Sequence, residues 1–458
     1  MTSAAHRPGS PNAAPTPERL SRARVGAALL FLVNGAVFAN LLPRLPQIKD
    51  AFELSNSVYG FVVIAFPLGS LLAGTAPAPI LRRWGSGRTA VLGSVAIAVM
   101  ILLAGVSGGI GGGLLVLLAY IVPLVVAGML DAVTDTAQNA QALDVQRAMG
   151  RSILNSMHAL WSLGSVIGGL MGTAALALQV PLAMHLTIRG ILFSAVAVLA
   201  GAQVLTKDEV AQVRPVPDAS AQPGAGPAHD PEPAQNLPGL SEQDAPAVAA
   251  PEGPSAGDDS GAAVSLRGAA GPARRAVLML LLISVVSITG VMVEDLGQNW
   301  SALYLRQVLE ASATMAGLGL VALMCAQFIG RLLGDRLVDR LGHVAMARLG
   351  ALGIVAGLGL VVTAPVPAAA VAGFFLAGLG SATLVPSAYH AADLVPGLRP
   401  GTGLAVVSWL MRGAFLSLSP FVGVVSDAVG LRLAFLVIPV MAVVALFAAR
   451  CLRQPTPA

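Results

Sequence analysis

The feature that most limits how this chain can fold is a polar stretch from about Lys207 to Ala273, together with what flanks it. The stretch is almost all Pro, Ala, Gly, Ser, Asp and Glu. Such a segment cannot bury enough apolar surface to offset the entropy of ordering it, so a disordered linker is predicted. Six apolar segments of membrane-spanning length precede it and six follow. The expected fold is an all-α membrane protein with 12 transmembrane helices in two parallel-repeat six-helix bundles.

The spans are predicted at 25–43, 58–78, 89–107, 113–140, 153–177 and 183–205, then at 276–304, 313–333, 345–363, 368–390, 402–426 and 432–449. The domain plan is a disordered tail at 1–24, a bundle at 25–205, the linker at 206–274, a second bundle at 275–450 and a tail at 451–458. Only 11% of residues are charged, where a soluble domain has about a quarter. About ten of the 23 acidic residues fall in the linker, so the apolar parts are poorer still in charge. Lys and Arg set the orientation. One side holds Arg19, Arg22, Arg24, Arg82, Arg83, Arg88, Arg147, Arg151, Arg274, Arg275, Arg336, Arg340, Arg348, Arg399, Arg450 and Arg453. The other side holds Arg44, Lys49, Arg306 and Arg432, so both termini and the linker are predicted on the cytoplasmic side of an inner membrane.

Several classes are disfavoured. A net charge of +4, carried by Arg at span ends, does not point to nucleic acid. Cys325 and Cys451, one in a span and one in a tail, imply neither a disulfide framework nor a Cys-rich metal site. HExxH, a Walker loop and a GxSxG in a strand–helix setting are absent from the sequence, so neither an enzyme nor a cofactor is expected. The expected partners are the lipid bilayer and a small molecule, with the chain as a monomer.

The two halves match each other at an offset of about 257 residues: Glu53, Ser55, Gly60, Arg83 and Gly85 align with Glu310, Ser312, Gly317, Arg340 and Gly342. Later the offset falls to about 248, pairing Asp144 and Trp161 with Asp393 and Trp409. Between the second and third spans of the second half runs Gly330-Arg-Leu-Leu-Gly334-Asp335-Arg336-Leu-Val-Asp339-Arg340-Leu-Gly342. This run resembles the loop signature of the major facilitator superfamily. Further stretches resemble a bacterial inner-membrane group of that superfamily related to fucose permeases. They are Asp135-Thr-Ala-Gln138-Asn139-Ala-Gln141, Gly150-Arg151, His158-Ala-Leu-Trp161-Ser-Leu-Gly164 and Glu294…Asn299-Trp300-Ser301…Tyr304. The resemblance implies a secondary active transporter, proton-coupled and driven by the proton gradient, moving a small polar, sugar-like solute by alternating access. Proton-driven export of a drug or metabolite is the alternative, and a non-transporting sensor on the same fold a remote one. In the signature, Asp335, Asp339, Arg340 and Gly342 are the candidate conformational latch. The first-half copy has Arg82 where Asp339 stands, which would leave the latch one-sided.

The candidate proton-coupling residues are Asp135, Asp131, Glu294 and His158. Asp131 and Asp135 lie one turn apart on the fourth span and share a face. A charge at the centre of a membrane helix costs about 2.5–3.5 kcal/mol on insertion scales, so two are not expected against lipid. Close carboxylates in a low dielectric titrate as a coupled pair, which suits a proton carrier. The competing reading is that they tie helices together by hydrogen bonds. Adjacent residues point about 100° apart, so of Glu294 and Asp295 only one faces a cavity. Glu294 is the choice, with Asp295 on the rim. His158 can shuttle a proton or donate a structural hydrogen bond.

The candidate substrate-binding residues are Asn34, Asn139, Trp161, Gln298, Asn299, Trp300 and Arg412. Asn139 continues the aspartate face, and Gln298, Asn299 and Trp300 form a polar and aromatic set suited to a hydroxylated solute. Trp161 can stack on a sugar face or simply pack. Trp300 and Tyr304 can also belong to an interfacial aromatic belt. Arg412 lies about ten residues inside the eleventh span and needs a partner, such as Asp131, Asp135, Glu294 or an anionic substrate group. Arg189 is expected to snorkel. Gly164, Gly168 and Gly172 form a small-residue stripe whose default role is packing.

Overall fold

The computed structural model describes residues 15–151, 153–213, 270–396, 398 and 402–452. The disorder expected at 1–14, 214–269 and 453–458 falls outside these residues. The first half contains α1 (Pro17–Ala39), α2 (Leu45–Ala51), α3 (Asn56–Val63), α4 (Ala65–Leu72), α5 (Pro77–Trp84), α6 (Ser86–Ile110), α7 (Leu114–Met149), α8 (Leu154–Ala177), α9 (Leu182–Gly201) and α10 (Lys207–Val213). The second half contains α11 (Ala270–Asp295), a π-helical turn (Leu296–Trp300), α12 (Ser301–Leu309), α13 (Ala313–Leu341), α14 (His343–Thr363), α15 (Pro367–Ser381), α16 (Leu384–Asp393), α17 (Thr402–Val429), α18 (Leu431–Ala434) and α19 (Val437–Ala448). Among the described residues, 11 helical runs are long and apolar enough to cross a membrane. The pair Asn56–Leu72 and Pro77–Trp84, bent by 62°, brings the number to 12.

Two expected boundaries change. The first helix starts at Pro17, inside the expected tail. Thr16 caps it by accepting from the Arg19 amide at 3.3 Å, Pro17 opens it and Glu18 sits in its first turn. The beginning of the expected linker is likewise the short helix α10. Glu209 of α10 pairs with Arg19 at 2.7 Å, and Lys207 donates to the Arg82 carbonyl at 3.0 Å. Val210 is buried against α1 and α7 neighbours that include Leu20 and Val145. Partial burial pushes the Glu209 carboxyl up, but hydrogen bonds from Arg19 and Thr206 outweigh it and hold the group below the usual range.

The internal repeat reappears in the backbone. Glu53 and Glu310 both take φ 51°, a left-handed conformation that non-glycine residues seldom adopt. Ser55 and Ser312 each cap the helix that follows, accepting from Val58 and Met315 amides. Gly85 and Gly342 share φ near 79° and 78° and ψ of 156° and 157°. Residues paired by sequence alone thus perform the same local task in both halves.

Contacts between the halves run along two seams, α3 against α17 and α8 against α13. The repeat-matched glycines mark both. A Cβ on Gly60 would fall closer than 3.0 Å to the Ser419 carbonyl, and one on Gly317 equally close to the Thr173 hydroxyl. Further ties gather at the face that carries α2 and the 309–313 turn. Arg306 pairs with Asp50 at 3.1 Å, and Asp427 accepts from the backbone amides of Asn56 and Ser57 at 3.0 and 2.8 Å. Asp427 therefore supplies a negative charge to the N-terminus of α3 from the other half of the molecule. We call this the sealed face; the start of α1, the end of α19 and α10 lie at the opposite end.

Candidate functional site

α7 projects Asp131, Asp135 and Asn139 from one face, as their four-residue spacing dictates. Each is half-buried. Asn34, on α1, hydrogen-bonds Asp131. Asn139 donates to the Asp135 backbone carbonyl at 3.0 Å and also hydrogen-bonds its side chain. The face looks across to the other half, because Arg412 of α17 is near enough for its charge to act on Asp135. Arg412 itself is exposed and makes no ion pair or hydrogen bond among the described residues. The structure thus brings Asn34, Asp131, Asp135, Asn139 and Arg412 to one place. Next to Asn139, Gln138 turns the other way, donating to the Leu30 carbonyl at 3.2 Å and tying α7 to α1.

A second group lies on the second-half side. Glu294 is half-buried and accepts from Gln298 at 3.1 Å. Arg331 of α13 reaches Glu294 at 3.5 Å and the Ser162 hydroxyl of α8 at 3.4 Å. Arg331 therefore joins both halves through polar contacts, and the sequence reading did not single it out. It sits inside the Gly330–Gly342 run, which was read as a loop signature. Its place within the predicted eighth span was the signal that could have found it.

Asp295 departs from expectation. It is sealed, not on a rim. Its two oxygens accept from Ser419 at 2.7 Å and Asn299 at 2.8 Å, and the Trp300 indole donates to Ser419 at 3.0 Å. Tyr59 of α3 closes the cluster from the first half: its hydroxyl donates to the Asn299 carbonyl and its ring meets Trp300 edge-on at 5.0 Å. Asn299 and Trp300 are consequently buried, and in this conformation they are not exposed to a solute. The cause is local. The π-helical turn at 296–300 adds a residue to the helical circuit and swings these side chains into the seam.

The remaining candidates are scattered. His158 is half-buried and packs edge-on against Phe31 at 5.2 Å, while Trp161 packs beside the α1–α7 contact. The expected Asp339–Arg340 pair does not form; both are exposed at the end of α13, where successive residues point apart. Gly342 ends that helix with its positive φ, and the Asp335 side chain lies outside the described set. The Arg306–Asp50 pair and the Asp427 contacts to Asn56 and Ser57 tie the halves at the sealed face. Arg189 does not snorkel: it is fully buried and donates to the Val37 carbonyl at 3.0 Å, near the end of α1. Tyr304 is not in an interfacial belt but buried, donating to the Val361 carbonyl at 3.0 Å. Gly164, Gly168 and Gly172 lie against α1 carbonyls and the adjoining Asn40 carbonyl, so the stripe packs helices.

Eleven to twelve candidate spans in two like halves, with charges inside, define a polytopic helical membrane fold. Residues 276–458 match the family model of the Major Facilitator Superfamily. The chain is 26% identical to the uncharacterized transporter y4wD of Sinorhizobium fredii over 432 residues, covering 94% of this chain and 98% of that protein. Its fold is similar to that of a bacterial homolog of the human lysosomal transporter Spinster, solved in an inward-facing, unoccupied conformation. That match has TM-score 0.64 at 14% identity and covers 97% and 100% of the two chains. It is also similar to the E. coli fucose:proton symporter FucP, with TM-score 0.53 at 15% identity over 94% and 98%. The second half of the chain thus matches the superfamily's model, and the chain as a whole is similar in fold to a solved transporter of that superfamily.

Proposed function

We propose that this protein is a proton-coupled transporter of a small, polar, sugar-like solute across the bacterial inner membrane, with both termini on the cytoplasmic side. The observation that carries the reading is the half-accessible carboxylate pair Asp131 and Asp135, held by Asn34 and Asn139 and faced by Arg412 from the other half. Membrane helices seldom carry charges without a task, and a carboxylate pair between two moving halves suits proton exchange. The amides beside the pair provide donors and acceptors for hydroxyl groups. Closure of one face by the seams supports an inward-facing reading of this state, given the orientation inferred from the Arg distribution. Protonation then biases the equilibrium between the two facings.

The test is accumulation of labelled hexoses, pentoses and polyols in proteoliposomes under an imposed pH gradient. Gradient-dependent uptake of at least one is expected, and Asp135→Asn should lower it by about 100-fold or more. Uptake indifferent to the gradient overturns proton coupling, and an unchanged Asp135→Asn variant overturns the site.

A further inference from the structure

Asp295 is a buried carboxylate that the proposed transport site does not use. It lies directly beneath the α3–α17 seam. Gly60 touches the Ser419 carbonyl, and Ser419 donates to Asp295 at 2.7 Å. Tyr59, next to Gly60, covers the turn that carries Asn299 and Trp300. These two first-half covers over the cluster both belong to α3. If the halves part at the sealed face, Tyr59 and Gly60 withdraw together and the cluster opens to the compartment on that side. Asp131 and Asp135 have the reverse geometry, being accessible now. We infer that Asp295 is a second proton-binding station, loaded from the compartment on the sealed face and closed off by Tyr59.

The surroundings fit a group that exists in two forms. No basic side chain bonds to Asp295 among the described residues. The ionisable groups that face it are Glu294, its neighbour on α11, and Tyr59 on α3. α17 brings the neutral Ser419, and α13 brings Leu323 against Gly297 of the same turn. Arg331 of α13 is engaged by Glu294. The hydrogen bonds also adapt. With the carboxylate ionised, Ser419 and Asn299 donate to it, and Ser419 accepts from Trp300. With Asp295 protonated, its hydroxyl can donate to Ser419, whose oxygen has a second lone pair and whose own hydrogen is free to turn. The neutral form loses less on being sealed away from water. Proton uptake from that compartment therefore favours closing the seam, which couples the outer proton to the return stroke.

The inference rests on the transporter reading, but its test reads Asp295 alone, whereas the Asp135→Asn flux assay decides the other. Infrared difference spectra are recorded on the purified protein in lipid nanodiscs as bath pH is stepped from alkaline to acid. A protonated carboxyl gives a carbonyl band, assigned as the one missing in Asp295→Asn. Should that variant fail to fold, Ser419→Ala, which deletes one hydrogen bond to the carboxyl, assigns it by a shift. A parallel sample holds the seam shut by joining Ser57→Cys to Asp427→Cys with a short bifunctional thiol reagent, in a background without Cys325 and Cys451. The band should grow with acid in the free protein and stay constant when the seam is held shut. A band that grows equally in both samples overturns the gating, and one that never changes in either overturns the proton station.

Discussion

Two sets of carboxylates sit inside this membrane protein and differ in one respect, access. Asp131 and Asp135 keep part of their surface open, whereas Asp295 has none. The chemistry of the groups is the same, and each set has amide or hydroxyl donors. What differs is the side of the seam on which each lies. The α7 pair is partly exposed and faces Arg412 of the other half, while Asp295 lies behind α3, where Gly60 lets backbone touch backbone. In a two-facing transporter, a residue's role depends on which seam is shut as much as on the residue itself.

The comparison can be broken by forcing the seam. Gly60→Val places a branched side chain against the Ser419 carbonyl. Overpacking costs about 1–3 kcal/mol, so the closed seam should lose about five- to hundredfold in population. Labelling of Leu418→Cys, a buried position beside Ser419, should speed up accordingly, and solute flux should fall. Unchanged labelling would mean that the seam does not move.

Removing the arginine that joins the two halves should act less strongly. Arg331→Met leaves Glu294 without its partner and Ser162 without its donor. A partly exposed ion pair contributes about 1 kcal/mol or less, so a change of about fivefold in flux is expected. The same substitution should leave the Leu418→Cys labelling rate nearly constant, since Arg331 lies away from the sealed face. Tyr59→Phe deletes one hydrogen bond and keeps the ring. With a net value of about 1 kcal/mol, labelling in the seam should accelerate by about fivefold or less. An effect as large as that of Gly60→Val would mean that Tyr59, and not backbone contact, holds the seam.

The smallest effect is expected far from either set, at the α10 clasp. Glu209→Gln should lower thermal stability by under about 1 kcal/mol at neutral pH, because the pair is partly exposed. The Glu209 carboxyl is lowered in the folded protein. Its contribution is therefore present above the ordinary Glu value of about 4.3 and is lost as pH falls through the lower folded value. Melting curves of the two proteins should converge only in acid.

The twelve spans were legible because hydrocarbon thickness fixes their length and composition. The repeat was legible because turns demand special backbone. Glu53 and Glu310, like Gly85 and Gly342, match in conformation as they do in sequence. The assembly of Asp131, Asp135 and Asn139 followed from helical spacing, and their meeting with Arg412 was one of the options left open. Spacing failed at Asp295, Asn299 and Trp300, since a π-helical turn changes the angular count and nothing in Leu296–Trp300 announces it. The tie that Asp427 makes across the halves was not legible either. Asp427 is an ordinary acid near a span end until the fold brings the start of α3 beneath it, 371 residues away in the chain from Asn56.

The clasp at α10 has one more implication. Arg19, at the start of the first bundle, grips Glu209 and the carbonyls of Gln203 and Val204, at its end. The first six spans are tied off, head to tail, before the connector begins. The first bundle then has its own finished boundary, so the two halves could be made as separate polypeptides from one transcript and still dock along α3–α17 and α8–α13 to form a working whole.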